Sequence, residues 1–216
     1  MVKVQIAGIK TAKEAIQCAR LGVDAIGLLV GQKHFSDDFI SINTAQEIIR
    51  ALPPFVDAVV ITHLEDVSEI IALLDQVQPD AIQLHSYIKD EAVKTIKKRF
   101  PLIKIIRLIH VGNGGQILNN LDELKIADAY ITDSLNTLTN QFGGTGLEHD
   151  YTVDAKLRKE LKKPLILAGG LTVKNVKALT KLVKPYAVDS NTGTKGTNGF
   201  RDLKLVKKFT KEAKKA

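Results

Sequence analysis

The chain has 216 residues, 44% hydrophobic and 25% charged, a composition that implies a water-soluble globular protein able to bury a full core without disulfide staples. A single cysteine, Cys18, leaves no internal disulfide, and the N-terminus reads as neither a secretory leader nor a membrane span; a cytoplasmic protein with no membrane partner is expected. The net charge of +7 raises nucleic acid as a partner, but the lysines concentrate in 172–184 and 204–216 with apolar residues between them at helical spacing. That is the pattern of solvated helix faces, and with few aromatics and no tryptophan it argues against nucleic acid. A positive field suits a small anionic substrate such as a phosphate ester.

Along the chain, short apolar runs alternate with amphipathic stretches. The first run, "VKVQIA" (2–7), ends in the turn residue Gly8. "TAKEAIQCARLG" follows, with a Thr cap, Glu three residues on and Gly22 at its end, as a helix should have. The next runs are 25–30, 57–62, 81–85, 103–109, 128–133, 164–169 and 186–190. They are short and mostly β-branched or leucine-rich, as in fully buried parallel strands. Helical patterns lie between them, including "GQILNNLDELK" (115–125) after the fifth run and "LTVKNVKALTKLVKP" (171–185), starting near Thr172, after the seventh. Eight strands and eight helices in strict alternation predict a single (β/α)8 TIM barrel domain spanning residues 1–216. No G-x-G-x-x-G follows the first strand, which removes the main support for an open dinucleotide-binding sheet. Segments 31–42 and 134–151 are longer than ordinary connections and read as binding loops.

Barrel chemistry gathers at the C-terminal strand ends. Those places hold Ala7; Lys33, His34, Asp37 and Asp38; Thr62 and His63; Gln83 and His85; Arg107 and His110; Asp133; "GGTG" (143–146) and His149; "AGGL" (168–171); and "VDSNTGTKG" (188–196). All five histidines fall on this face, and histidine is the side chain best suited to proton transfer near neutral pH. Gly169 and Gly170 before one helix, with Thr192 and Gly193 after the last strand, match a phosphate site built from backbone N–H groups and a helix N-terminus.

These motifs resemble the phosphoribosylanthranilate isomerase family of tryptophan biosynthesis. "VQIAGIK" resembles its first-strand K-[IV]-C-G-[IL]-[TK] motif, and "IQLH" its Q-L-H-G, with Ser86 for the glycine. "GGTG", "LILAGGLTVKNV" and "AVDSNTG" resemble its sixth, seventh and eighth βα units. The resemblance implies an Amadori rearrangement of an aminoaldose phosphate, without cofactor or metal, in a monomer or homodimer. It implies Asp133 as the acid. The family's base, a cysteine at the end of strand 1, is Ala7 here, and Cys18 lies in a helix and does not replace it. The family's βα2-loop arginine, which pairs with the anthranilate carboxylate, aligns with Asp38, an anion expected to repel that carboxylate. Where the family carries Asn at the end of strand 3, this chain has His63.

The expected site is therefore Asp133 as acid, His85 or His63 as replacement base and Arg107 as electrostatic aid. His34, Asp38, Gly144 and Thr145 are expected to bind substrate, and Gly169, Gly170, Thr192 and Gly193 phosphate. The losses at Ala7 and Asp38 favour an isomerase or lyase acting on a phosphorylated sugar other than the family's own. Three alternatives stand beside it: the family reaction with a rearranged base, a metal-dependent epimerase-like site using the histidines, and a non-catalytic binder of phosphorylated ligands.

Overall fold

A computed structural model describes residues 1–33, 36–112, 114–136, 141–142 and 149–216. Eight parallel strands close into a barrel: β1 (Lys3–Ala7), β2 (Ala25–Leu29), β3 (Asp57–Thr62), β4 (Ala81–Leu84), β5 (Lys104–Val111), β6 (Ala129–Asn136), β8 (Leu165–Leu167) and β9 (Ala187–Ser190). Their order runs β5-β4-β3-β2-β1-β9-β8-β6, and β5 pairs with β6 to complete the ring. A short β7 (Gln141–Phe142) folds back antiparallel on the end of β6. The (β/α)8 expectation holds.

The described helices are α1 (Ala12–Arg20), α2 (Ile42–Ala51), α3 (Val67–Val77), α4 (Asp90–Arg99), α5 (Thr152–Glu160), α6 (Val176–Val183) and α7 (Leu203–Lys214). Thr11 caps α1 through the Glu14 N–H, while Asp66 and Asp202 cap α3 and α7, each satisfying donors that a helix start leaves open. The helix expected over 115–125 does not form. One 3₁₀ turn, Leu121–Glu123, takes its place. Asn119 Oδ1 instead accepts the His110 N–H, and Asn120 accepts that of Asp122, so both side chains compete with the helical backbone. The seventh unit also starts later than read: Thr172–Asn175 make a turn held by the Asn175 side chain before α6 begins at Val176.

Strand alternation separates two buried sets. Val4, Ile6, Ile26, Leu28, Val60, Ile82 and Ile105 face outward under the helices. Ala7, Leu29, Val59, Ile61, Ala81, Ile106, Leu108, Ile131, Ile166, Ala168 and Ala187 fill the lumen. The two sets interleave with period two, as a closed barrel requires.

Candidate active site

The lumen phase of the alternation decides which strand-end side chains reach the mouth. Asp133 on β6 shares the phase of Ile131 and is 8% exposed. It lines a cavity of about 170 Å³ together with Ala168, Gly169, Gly170, Leu171, Thr172, Asp189, Ser190, Asn191, Thr192 and Gly193. The expected acid and the four expected phosphate residues thus border one space.

The glycines there are demanded by geometry. A Cβ on Gly193 would lie 1.9 Å from the Leu171 carbonyl oxygen, far inside any contact distance. Gly169 has φ +77°, and its Cβ would lie 2.8 Å from Ser134 Oγ and 3.2 Å from Asp133 Oδ1. The surrounding turns are pinned: the Tyr151 hydroxyl donates to Gly169 O at 2.8 Å, Asn175 Nδ2 to Gly170 O at 3.0 Å, and Ser190 Oγ to Leu171 O at 3.2 Å. A rigid backbone cradle of this kind suits an anion that the backbone must approach closely.

Arg107 is not part of this site. Its neighbours Ile106 and Leu108 face the lumen, so Arg107 points outward. Its Nη1 donates to Asp90 at 3.0 Å, and its guanidinium also meets the Ile88 and Ile126 carbonyls. One position of strand phase separates this structural ion pair from a catalytic placement.

His63 and His85 reach the mouth, but from β3 and β4, across the ring from β8 and β9. Their rings sit 5.3 Å apart, edge to face, and Phe39 packs 5.5 Å from His63. His85 Nε2 meets Gln83 Nε2 at 2.5 Å. Burial, then His63 and His110, hold the His85 imidazole well below its usual range, so it is neutral at physiological pH. His149 is structural: its Nε2 bonds Asp154 at 2.7 Å with both side chains fully buried. His34, Gly144 and Thr145 lie outside the described residues. Among the described residues, no three His, Cys, Asp or Glu side chains converge as metal ligands. Nor is any helix long and apolar enough to cross a membrane.

Asp38 departs from its expected role as a bare anion. Its Oδ1 pairs with Arg201 Nη2 and with Lys195 Nζ, both at 2.9 Å. Arg201 continues to Asn191 Oδ1 and the Asn191 carbonyl, and its backbone N–H donates to Glu14. The βα2 loop is thereby tied to the loop after β9, and the Asp38 charge is matched before any ligand arrives. Sequence reasoning missed Arg201 because it lies past the eighth strand in what reads as a helix lead-in; only tertiary folding brings it back over Gly8.

It also passed over a buried polar chain inside the lumen. Gln5 and Asp189 pair in register on β1 and β9, and the Gln5 side chain acts on the Asp189 carboxyl to favour its ionised form. Gln5 Nε2 also donates to Gln83 Oε1 at 3.2 Å, and Gln83 leads on to His85. Lumen-phase polar residues in otherwise apolar strands were the signal available for it.

The model of the N-(5'phosphoribosyl)anthranilate (PRA) isomerase family matches residues 4–212. An isomerase of that description from Methanosarcina mazei, its number 2, is 41% identical over 99% of this chain and 94% of its own length. The solved isomerase from Pyrococcus furiosus superposes with a TM-score of 0.82 at 26% identity, covering both chains in full. A phosphoribosyl anthranilate isomerase solved with reduced 1-(o-carboxyphenylamino)-1-deoxyribulose 5-phosphate gives 0.78 at 27% identity, again over both full chains.

Proposed function

The chain belongs to the phosphoribosylanthranilate isomerase family, and from that premise we propose that it catalyses the family's Amadori rearrangement of phosphoribosylanthranilate in tryptophan biosynthesis. The full-length similarity favours this reaction over a different phosphorylated sugar, the reading that Ala7 and Asp38 suggested. The neutralised state of Asp38 removes part of the objection. The observation that carries the reading is that Asp133 and the glycine cradle border one cavity, so a phosphate held in the cradle places the sugar within reach of the carboxyl.

In this reading Gly169, Gly170, Thr192 and Gly193 hold the phosphate through backbone groups and thereby orient the ring. Asp133 donates a proton to the ring oxygen. The C1′–O bond breaks, and the nitrogen lone pair forms a C1′=N iminium. Removal of the C2′ proton sends that C–H pair into a C1′=C2′ bond, giving an enolamine that becomes the ketose.

Two measurements test this. Expression in a tryptophan auxotroph lacking the isomerase should restore growth; no growth despite soluble, folded protein would refute the reading. The Asp133→Asn variant should lose turnover by about 100-fold or more, the scale of a positioned general acid, without losing its fold. Unchanged turnover would remove Asp133 from the mechanism. Should other phosphorylated aldoses outperform phosphoribosylanthranilate in a substrate panel, the alternative raised by Ala7 would replace it.

A further inference from the structure

Ala7 offers only a methyl group where the resembled family keeps its base, and His85 is bonded to Gln83 on the far side of the mouth. A second carboxyl borders the acid's own cavity. Asp189 lies on β9, the strand between β1 and β8, in lumen phase beside Gln5. On the flanking strands, Ala168 stands level with Asp189 by the β8–β9 register and Ala7 is the next lumen residue after Gln5, both in the lumen cluster. Gly27 stands against Ala7; a Cβ there would lie 3.0 Å from that of Ala7. Small side chains thus leave the way open from Asp189 to the mouth, and Asp189 lines the cavity that Asp133 lines. Its Oδ1 is buried with no hydrogen-bond partner among the described residues, an arrangement that is costly unless the group has a use.

We propose that Asp189 supplies the missing half of the acid–base chemistry: Asp133 and Asp189 share one proton, Asp133 giving it to the ring oxygen and the Asp189 carboxylate receiving the C2′ proton. This rests on the isomerase reading above. The proton count closes. After C2′ deprotonation Asp133 is ionised and Asp189 protonated. Asp189 returns its proton to C1′ of the enolamine as Asp133 takes the proton from the 2′-hydroxyl, which leaves the ketose and restores the pair. Ala7 then provides room for the sugar above Asp189.

The groups facing Asp189 are Asp133 from β6, Gln5 from β1, Arg201 from the segment before α7, and its neighbour's Ser190 N–H. Burial first, then the Asp133 charge, push its carboxyl up to about 7 against the opposing pull of Gln5, Arg201 and Ser190. Two carboxyls that border one cavity and repel each other do not ionise independently, and their titration belongs to the pair. The one-proton state therefore persists to near-neutral pH, and it is the state that holds both an acid and a base.

The test combines pH profiles with a readout independent of turnover. The wild-type kcat/KM for phosphoribosylanthranilate should fall on the alkaline side with an apparent pKa near 7. Asp189→Asn should lower kcat by about 100-fold or more and abolish the alkaline limb near 7, because the carboxyl that titrates there is gone. An alkaline limb unmoved by the substitution, or a kcat within about threefold of wild type, overturns the proposal. Asp-selective carbon-13 NMR of the wild-type protein and Asp133→Asn decides the matter even where Asp189→Asn does not fold or the wild type leaves phosphoribosylanthranilate untouched. One carboxyl titrating near pH 7 in the wild type, and shifted down in Asp133→Asn, supports the pair. No carboxyl titrating above about pH 5 overturns it. Absent wild-type turnover with the carboxyl signal present would refute the substrate reading and leave the pair standing.

Discussion

The two ends of the barrel use the same residue, aspartate, to opposite ends. At the floor, Asp24, Asp80 and Asp128 stand just before β2, β4 and β6, and each accepts a backbone N–H from the strand before it: Val4 at 2.9 Å, Ala58 at 2.8 Å and Ile105 at 2.8 Å. Lys3 and Lys214 add to Asp24, and Lys97 to Asp128. Burial raises these last two carboxyls, but their hydrogen bonds and lysines outweigh it and hold both below the usual range. At the mouth, Asp189 faces another carboxyl, its Oδ1 has no hydrogen-bond partner among the described residues, and its affinity for a proton rises instead. A carboxylate supplied with strand N–H donors and lysines is held ionised; one buried opposite a second carboxyl gains affinity for a proton.

Space follows the same division. The floor has an alanine on alternate strands of the ring, Ala25 on β2, Ala81 on β4, Ala129 on β6 and Ala187 on β9, and these border a cavity of about 590 Å³. The mouth cavity is smaller, at about 170 Å³, and glycine is obligatory on its rim. The floor cavity is bordered by the hydrogen-bonded Asp24, Asp80 and Asp128, and the mouth cavity by Asp133 and Asp189.

The largest effect expected away from the two carboxyls is at the rim. Gly193→Ala forces a methyl into the Leu171 carbonyl and should cost about 3 kcal/mol, the upper end for overpacking, along with phosphate protection in a thermal melt. A melt near wild type with phosphate protection intact would show the cradle to be tolerant. Next comes the floor. Asp128→Asn should cost about 1–2 kcal/mol at neutral pH through weakened charged hydrogen bonds, with kcat unchanged. Because the folded-state carboxyl is depressed, that contribution is fully present above the unfolded pKa of about 4 and is lost as pH falls through the lower folded value. Chemical denaturation at pH 7 and in acid should therefore show the gap between variant and wild type closing in acid; a constant gap would mean that shape rather than charge matters. The smallest effect is a gain. Ala81→Val adds apolar volume beside the floor cavity and should stabilise by about 0.5–1 kcal/mol without altering turnover. A loss of activity would break the separation between the two ends.

The arrangement of the mouth was legible in uneven measure. Asp133 and the glycine pairs stand at strand ends, where barrel topology alone assigns them a place. Arg107 was misplaced because a strand end read to within a residue does not reveal phase, and phase decides between lumen and helix layer. Asp38 looked like a lone anion because Lys195 and Arg201, which neutralise it, lie more than 150 residues away in sequence. The helix expected over 115–125 failed where two adjacent asparagines took up backbone bonds of their own.

By itself the sequence determined the barrel, through eight buried runs and their alternation with amphipathic stretches. It determined the family resemblance, and the absence of a base at Ala7. Only the tertiary structure decided what stands in that gap. Strand closure sets Asp189 beside Gln5 on the cavity that Asp133 also lines, and burial with the Asp133 charge raises its affinity for a proton. Local pattern records which residues are apolar; which charges meet, and how dry the space between them is, depends on the closed ring.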